Sequence, residues 1–125
     1  MDPIKGTTTT HTADPRAKAI ARTLARELRR HPQRWTQGAQ ARTADGRPTD
    51  PRAPGCACWC LMGFIIRESP HEGDVDDAVL SAFELAAVGA PYTGGPQCVQ
   101  FVSWQDRKSR SVLDIIAVCD AVAAA

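Results

Sequence analysis

No apolar run in the chain approaches the roughly 18–20 residues that a helix needs to span a bilayer. The longest, Trp59 to Ile66, has the length of a core element. Charge of one sign is also missing. Fifteen Lys and Arg face fourteen Asp and Glu, for a formal net charge of +1 and a pI near 7.7. That balance excludes a global field steering the chain to nucleic acid or to an acidic membrane. Histidine is scarce: His11, His31 and His71 are the only three, and none sits in a motif. The five cysteines are odd in number, which argues against a complete disulfide framework. Residues 1–14 are polar and Thr-rich, without the apolar centre of a secretory signal. The expectation is a cytoplasmic protein with reduced thiols. No internal repeat is present.

What the chain does have is an ordinary globular balance. Its 125 residues are 43% hydrophobic and 23% charged, which suits one domain and argues against disorder. A chain of this length buries roughly two-thirds of its unfolded surface, enough for a core without metal or disulfide support. Residues 1–13 are expected to be a disordered polar tail, and 14–125 a single helical domain.

Asp14-Pro15 opens the first expected helix, with a capping carboxylate followed by proline at the first helical position. Ala17, Ile20, Ala21, Leu24 and Leu28 form its apolar stripe. Arg16, Lys18, Arg22, Arg26, Arg29 and Arg30 fill the other faces, and Pro32 stops it. Trp35 to Thr49 reads as a hairpin or extended loop around the turn signal Asp45-Gly46. Asp50 to Gly55 reads as a connector.

A second helix is expected from about Cys58 to Arg67, apolar all round and therefore central. Gly63 in its middle costs about 1 kcal/mol relative to Ala, and close approach of another backbone would compensate. A third helix starts at Asp74, with Asp76 and Asp77 in its first turn and Val75, Val79, Leu80, Phe83 and Ala87 on its buried stripe. Gly89 and Pro91 end it. Cys98 to Trp104 alternates as a short strand would. Ser109 or Ser111 caps the last helix, and Ser111 with Asp114 imitates a capping box. Val112, Ile115, Ile116, Cys119 and Val122 form its apolar face. The fold class is mostly α: about four helices with one short hairpin or strand pair.

Three blocks stand out: Trp35-Thr36-Gln37-Gly38-Ala39, then Cys58-Trp59-Cys60-Leu61-x-Gly63, then Val102-x-Trp104-x-Asp106. With Ala41-Arg42 and Asp45-Gly46-Arg47-Pro48 between them, they make the chain resemble family 6197 of domains of unknown function, found in bacteria and phages. That family carries W-T-Q-G, W-C-L-x-G-A and W-N-D blocks before a C-terminal helix. Two positions depart from the pattern. Phe64 stands where the family has Ala, and Gln105 stands where it has Asn. The resemblance implies an occurrence pattern and no activity.

Cys60 is the sharpest site candidate. A thiol in the first turn of a helix has a lowered pKa and the makings of a nucleophile. Gln37 would donate to an oxyanion, as in papain-like folds, and Asp106 would orient a base. The base itself is missing. The other reading is a buried structural thiol, since Cys is among the most buried residue types. Cys56, Cys58, Cys60 and Cys98 offer four thiolates, but the one-residue spacing is wrong for structural zinc. No metal and no cofactor is expected. Trp35, Trp59 and Trp104 are expected to cluster in the core as structural residues.

The surface offers two charged patches as binding candidates. One is the basic face Arg22, Arg26, Arg29 and Arg30; the other is the acidic group Glu72, Asp74, Asp76 and Asp77. The expectation is a non-enzymatic interaction protein, a phage- or mobile-element-borne inhibitor or accessory factor that binds a host or defence complex, for example of the CRISPR type. Its partner would be a protein, with nucleic acid involved only within a ribonucleoprotein target and no membrane. The alternative is a hydrolase or transferase using Cys60, Gln37 and Asp106.

Overall fold

The computed structural model describes residues 13–70, 75–92 and 99–125. The expected tail up to Thr12, with His11, and also His71, Glu72, Asp74, Cys98 and the loop beyond Tyr92 lie outside them, whereas Ala13 is described and packs against the core. Helix α1 spans Pro15–Arg30, and the Asp14 carboxylate accepts from the Arg16 N–H at its start. A 3-10 turn, Pro32–Arg34, follows. Strands β1 (Ala41–Thr43), β2 (Pro48–Thr49) and β3 (Cys56–Trp59) come next, then α2 (Leu61–Glu68), α3 (Asp77–Val88), α4 (Phe101–Gln105) and α5 (Val112–Ala124).

The core lies where α1, α3 and α5 meet, closed by α2 and α4. Ala17, Ala21, Leu24 and Leu28 of α1 face Val79 and Phe83 of α3 and Ile115, Cys119 and Val122 of α5; all are buried. These are the stripes that the helical period marks, because a 3.6-residue repeat brings positions three and four apart onto one face. Ser111 and Asp114 form a complete capping box at the start of α5, and Gly89 ends α3 with φ at +84°. At that φ a side chain would be strained.

The described chain departs from sequence expectation at four elements. It has five α-helices rather than about four. Cys56–Trp59 is a strand, and α2 begins only at Leu61. The hairpin around Asp45-Gly46 is present as the antiparallel pair β1–β2, and β3 pairs antiparallel with the other side of β1, so a three-stranded sheet in the order β2-β1-β3 stands where only a strand pair is expected. Alternating Cys56 and Cys58 were a period-of-two signal that the apolar run behind them obscured. Phe101–Gln105 is helical, not extended. There the buried carboxylate of Glu84 accepts the N–H groups of Gln100 at 2.7 Å and Phe101 at 2.9 Å and so fixes the start of a helix. Finally, α3 begins at Asp77. Asp76 is its cap, accepting from the Ala78 N–H at 2.9 Å.

A partly buried ion-pair network supports α2 against α1. Arg67 reaches Glu27 at 2.7 Å and Glu68 at 2.8 Å, and Arg34 also meets Glu27, at 3.2 Å. The guanidinium of Arg67 lies over the rings of Trp59 and Phe64, 4.5 and 4.9 Å from their centroids. The hydrogen bond from Arg67 holds the Glu27 carboxyl below the usual carboxylate range, so the pair stays ionised at neutral pH.

Gly63 makes the close backbone approach that its position in α2 implies. A Cβ built on it would stand 1.8 Å from the carbonyl oxygen of Gln40. That carbonyl also accepts the Cys60 N–H at 3.0 Å, so it is held on the helix from two sides. Gly63→Ala is expected to lower stability by about 3 kcal/mol or more, well beyond an ordinary surface substitution. Urea unfolding of the two proteins measures it, and equal midpoints would contradict the contact.

Candidate functional site

The three sequence blocks converge on one place, the start of α2 and the end of α4. Cys60 is the N-cap of α2. Its sulfur accepts the Gly63 N–H at 3.3 Å and its carbonyl accepts the Phe64 N–H at 2.9 Å. The Leu61 N–H, another donor left over at the helix start, goes to Oε1 of Gln105 at 3.2 Å. The same oxygen accepts the indole N–H of Trp35 at 3.1 Å. The nitrogen of that carboxamide donates to Oδ1 of Asp106, which also accepts the Gly38 N–H at 3.0 Å.

Gln37 completes the knot. Its side-chain nitrogen donates to the carbonyls of Gln105 at 2.6 Å and Arg107 at 2.8 Å, clamping the end of α4. The chain turns away at Gly38, where φ is +80°. Arg42 reaches back to the Gln37 carbonyl at 3.1 Å. The Thr36 N–H meets the Trp59 carbonyl at 3.0 Å, laying this segment parallel along the edge of β3. Each block therefore supplies donors or acceptors to the other two.

A small cavity of about 240 Å³ opens beside the knot, lined by Gln40, Cys60, Met62, Val102, Gln105 and Asp106 among others. Cys60 is 2% exposed. Burial pushes its thiol up, against the pull of the Gly63 and Met62 amides, and the nearby Asp106 charge pushes it further. A thiol in that state stays protonated at neutral pH. The amide of Gln37, the expected oxyanion donor, is committed to two carbonyls. Asp106 serves an amide and a carboxamide, and no imidazole among the described residues faces it. His31 is the C-cap residue of α1. The arrangement is therefore that of a helix cap and a polar joint.

All three tryptophans pack against the one core, each only partly buried. Trp35 joins Gln105, and the indole N–H of Trp59 donates to the Pro51 carbonyl at 2.9 Å. Trp104 lies under the guanidinium of Arg110, 4.2 Å from the ring centroid, and Arg110 also donates to its carbonyl at 3.0 Å. Each N–H or ring face meets a polar partner at the rim of the core, which is where an amphipathic ring settles.

The four free cysteines among the described residues are Cys56, Cys58, Cys60 and Cys119, and no group of three metal-ligating side chains occurs among those residues. Burial pushes the Cys119 thiol up to about 12. No described helix is long and apolar enough to cross a membrane.

The charged patches lie elsewhere. Arg22, Arg26, Arg29 and Arg30 are exposed along α1. Arg29 pairs with Asp120 of α5. Among the described residues, Arg22, Arg26 and Arg30 meet no carboxylate. On the acidic side, Asp76 caps α3 and pairs with Arg16 at 2.9 Å, while Asp77 is exposed. Two residues that sequence reasoning passed over matter structurally. Glu84 was signalled only by an acid on the apolar face of α3, one residue after Phe83, and Gln40 acts through its backbone and gave no signal.

Thiol labelling tests the state of Cys60. With its sulfur buried and protonated, it is expected to react far more slowly than a free cysteine until the protein unfolds. Cys60→Ser is expected to keep the cap, because serine is a favoured N-cap residue, and Cys60→Ala to cost about 1 kcal/mol more. Fast stoichiometric labelling of Cys60 in the folded protein at neutral pH would contradict this assignment.

Residues 12–125 match a family of unknown function, DUF6197. No curated protein and no solved structure matches the chain. The family match covers every element described above, and on it the chain belongs to DUF6197.

Proposed function

We propose that this protein acts by binding another protein rather than by catalysis. One observation carries the reading. The residues with catalytic potential are engaged in the knot, while three of the guanidiniums on the exposed face of α1 have no acidic partner among the described residues. Surface arginines without partners are suited to charge-assisted hydrogen bonds with a second molecule. In this reading the protein is a cytoplasmic interaction factor. Its target is a host or defence complex, as the resemblance to bacterial and phage proteins implies, and α1 supplies the contact.

Capture from a lysate of the organism that carries the gene tests it. The wild-type chain is expected to retain a specific protein partner, and Arg22→Glu with Arg26→Glu to lose it while circular dichroism stays unchanged. Recovery of no partner, or of the same partners by both proteins, would contradict the proposal.

A further inference from the structure

The arginine face of α1 is one wall of a groove. The groove holds about 420 Å³ and runs between α1 and the last turns of α5. Arg22, Arg26 and Arg30 stand on one wall at intervals of four residues, with Arg29 beside them. On a helix that interval forms a ridge, and Arg22 to Arg30 spans about 12 Å at 1.5 Å per residue. The floor is small and apolar, made by Ala25 and Ala123. The opposite wall carries one carboxylate, Asp120, already paired with Arg29.

From this arrangement we infer that the groove docks an acidic helix of a protein partner. The inference rests on the binding reading above and names the chemistry that the basic face takes. Three features favour carboxylates on a helix over a phosphate backbone. Carboxylates spaced four apart on a helix match the interval of the ridge. Glu side chains carry methylene stems that would lie on the Ala25 and Ala123 floor, with their carboxylates taking paired N–H donors from the guanidiniums. The near-neutral chain provides no long-range field of the kind that gathers a phosphate polymer, while Asp120 opposes phosphate and carboxylate alike.

Fluorescence anisotropy with the full chain tests the inference. The probe is a labelled Ala-rich helical peptide of about 15 residues with Glu at every fourth position. Controls are the same peptide with Gln for Glu and a single-stranded oligonucleotide of similar net charge. The Glu peptide is expected to bind, the Gln peptide not to, and the oligonucleotide to bind more weakly at the same salt. Arg22→Glu with Arg26→Glu is expected to weaken the Glu peptide by about tenfold or more, and Arg22→Gln with Arg26→Gln by less. Tighter binding of the oligonucleotide, or peptide binding that the substitutions leave unchanged, would overturn the inference. If a cellular partner is captured through α1 but the Glu peptide does not bind, the acidic-helix inference fails and the binding reading stands.

Discussion

The carboxamide of Gln105 holds together three segments that are far apart in the chain. Its oxygen accepts from the Trp35 indole and the Leu61 amide, and its nitrogen donates to Asp106. The residue is 1% exposed and its bond from the Leu61 amide is buried, so water does not replace that partner. Each donor left unsatisfied in such a place costs about 1–3 kcal/mol. The start of α2, the end of α4 and the segment beside β3 are consequently fixed relative to one another by one side chain. The Gly63–Gln40 contact sits on the same joint and allows no slack, because nothing larger than hydrogen fits there.

Much of the helical framework was legible in the sequence. The stripes of α1, α3 and α5 follow from a period of 3.6, and their caps follow from Asp14, Gly89 and Ser111. Elements fixed by distant partners were not. The strand Cys56–Trp59 exists because Ala41–Thr43 pairs with it, and the helix Phe101–Gln105 begins where Glu84 caps it from another helix. Neither partner is visible locally. Within the site, Cys60, Gln37 and Asp106 were legible as a group, since each lies in a block built around a tryptophan. Their roles were not. The same three residue types would serve a thiol mechanism or a polar joint, and only the hydrogen-bond directions separate the two.

The division between interior and surface gives the functional reading its form. The polar side chains of the three tryptophan-bearing blocks turn toward one another, so these segments maintain the fold. The basic face of α1 makes no comparable contribution to the core. Arg16 and Arg29 join neighbouring elements at the surface, where ion pairs add little stability. Among the described residues the remaining arginines of that face meet no carboxylate, so on the proposed reading a partner would engage them without loosening the structure.

Hydrogen exchange of the Trp35 indole N–H, followed by NMR, tests the joint most directly. The indole is only partly buried, so its protection depends on the bond to Gln105 rather than on enclosure. It is expected to exchange with the slow core amides in the wild type, and to become fast in Gln105→Ala under conditions where that variant remains folded. Fast exchange in the wild type while the core amides stay protected would contradict the account.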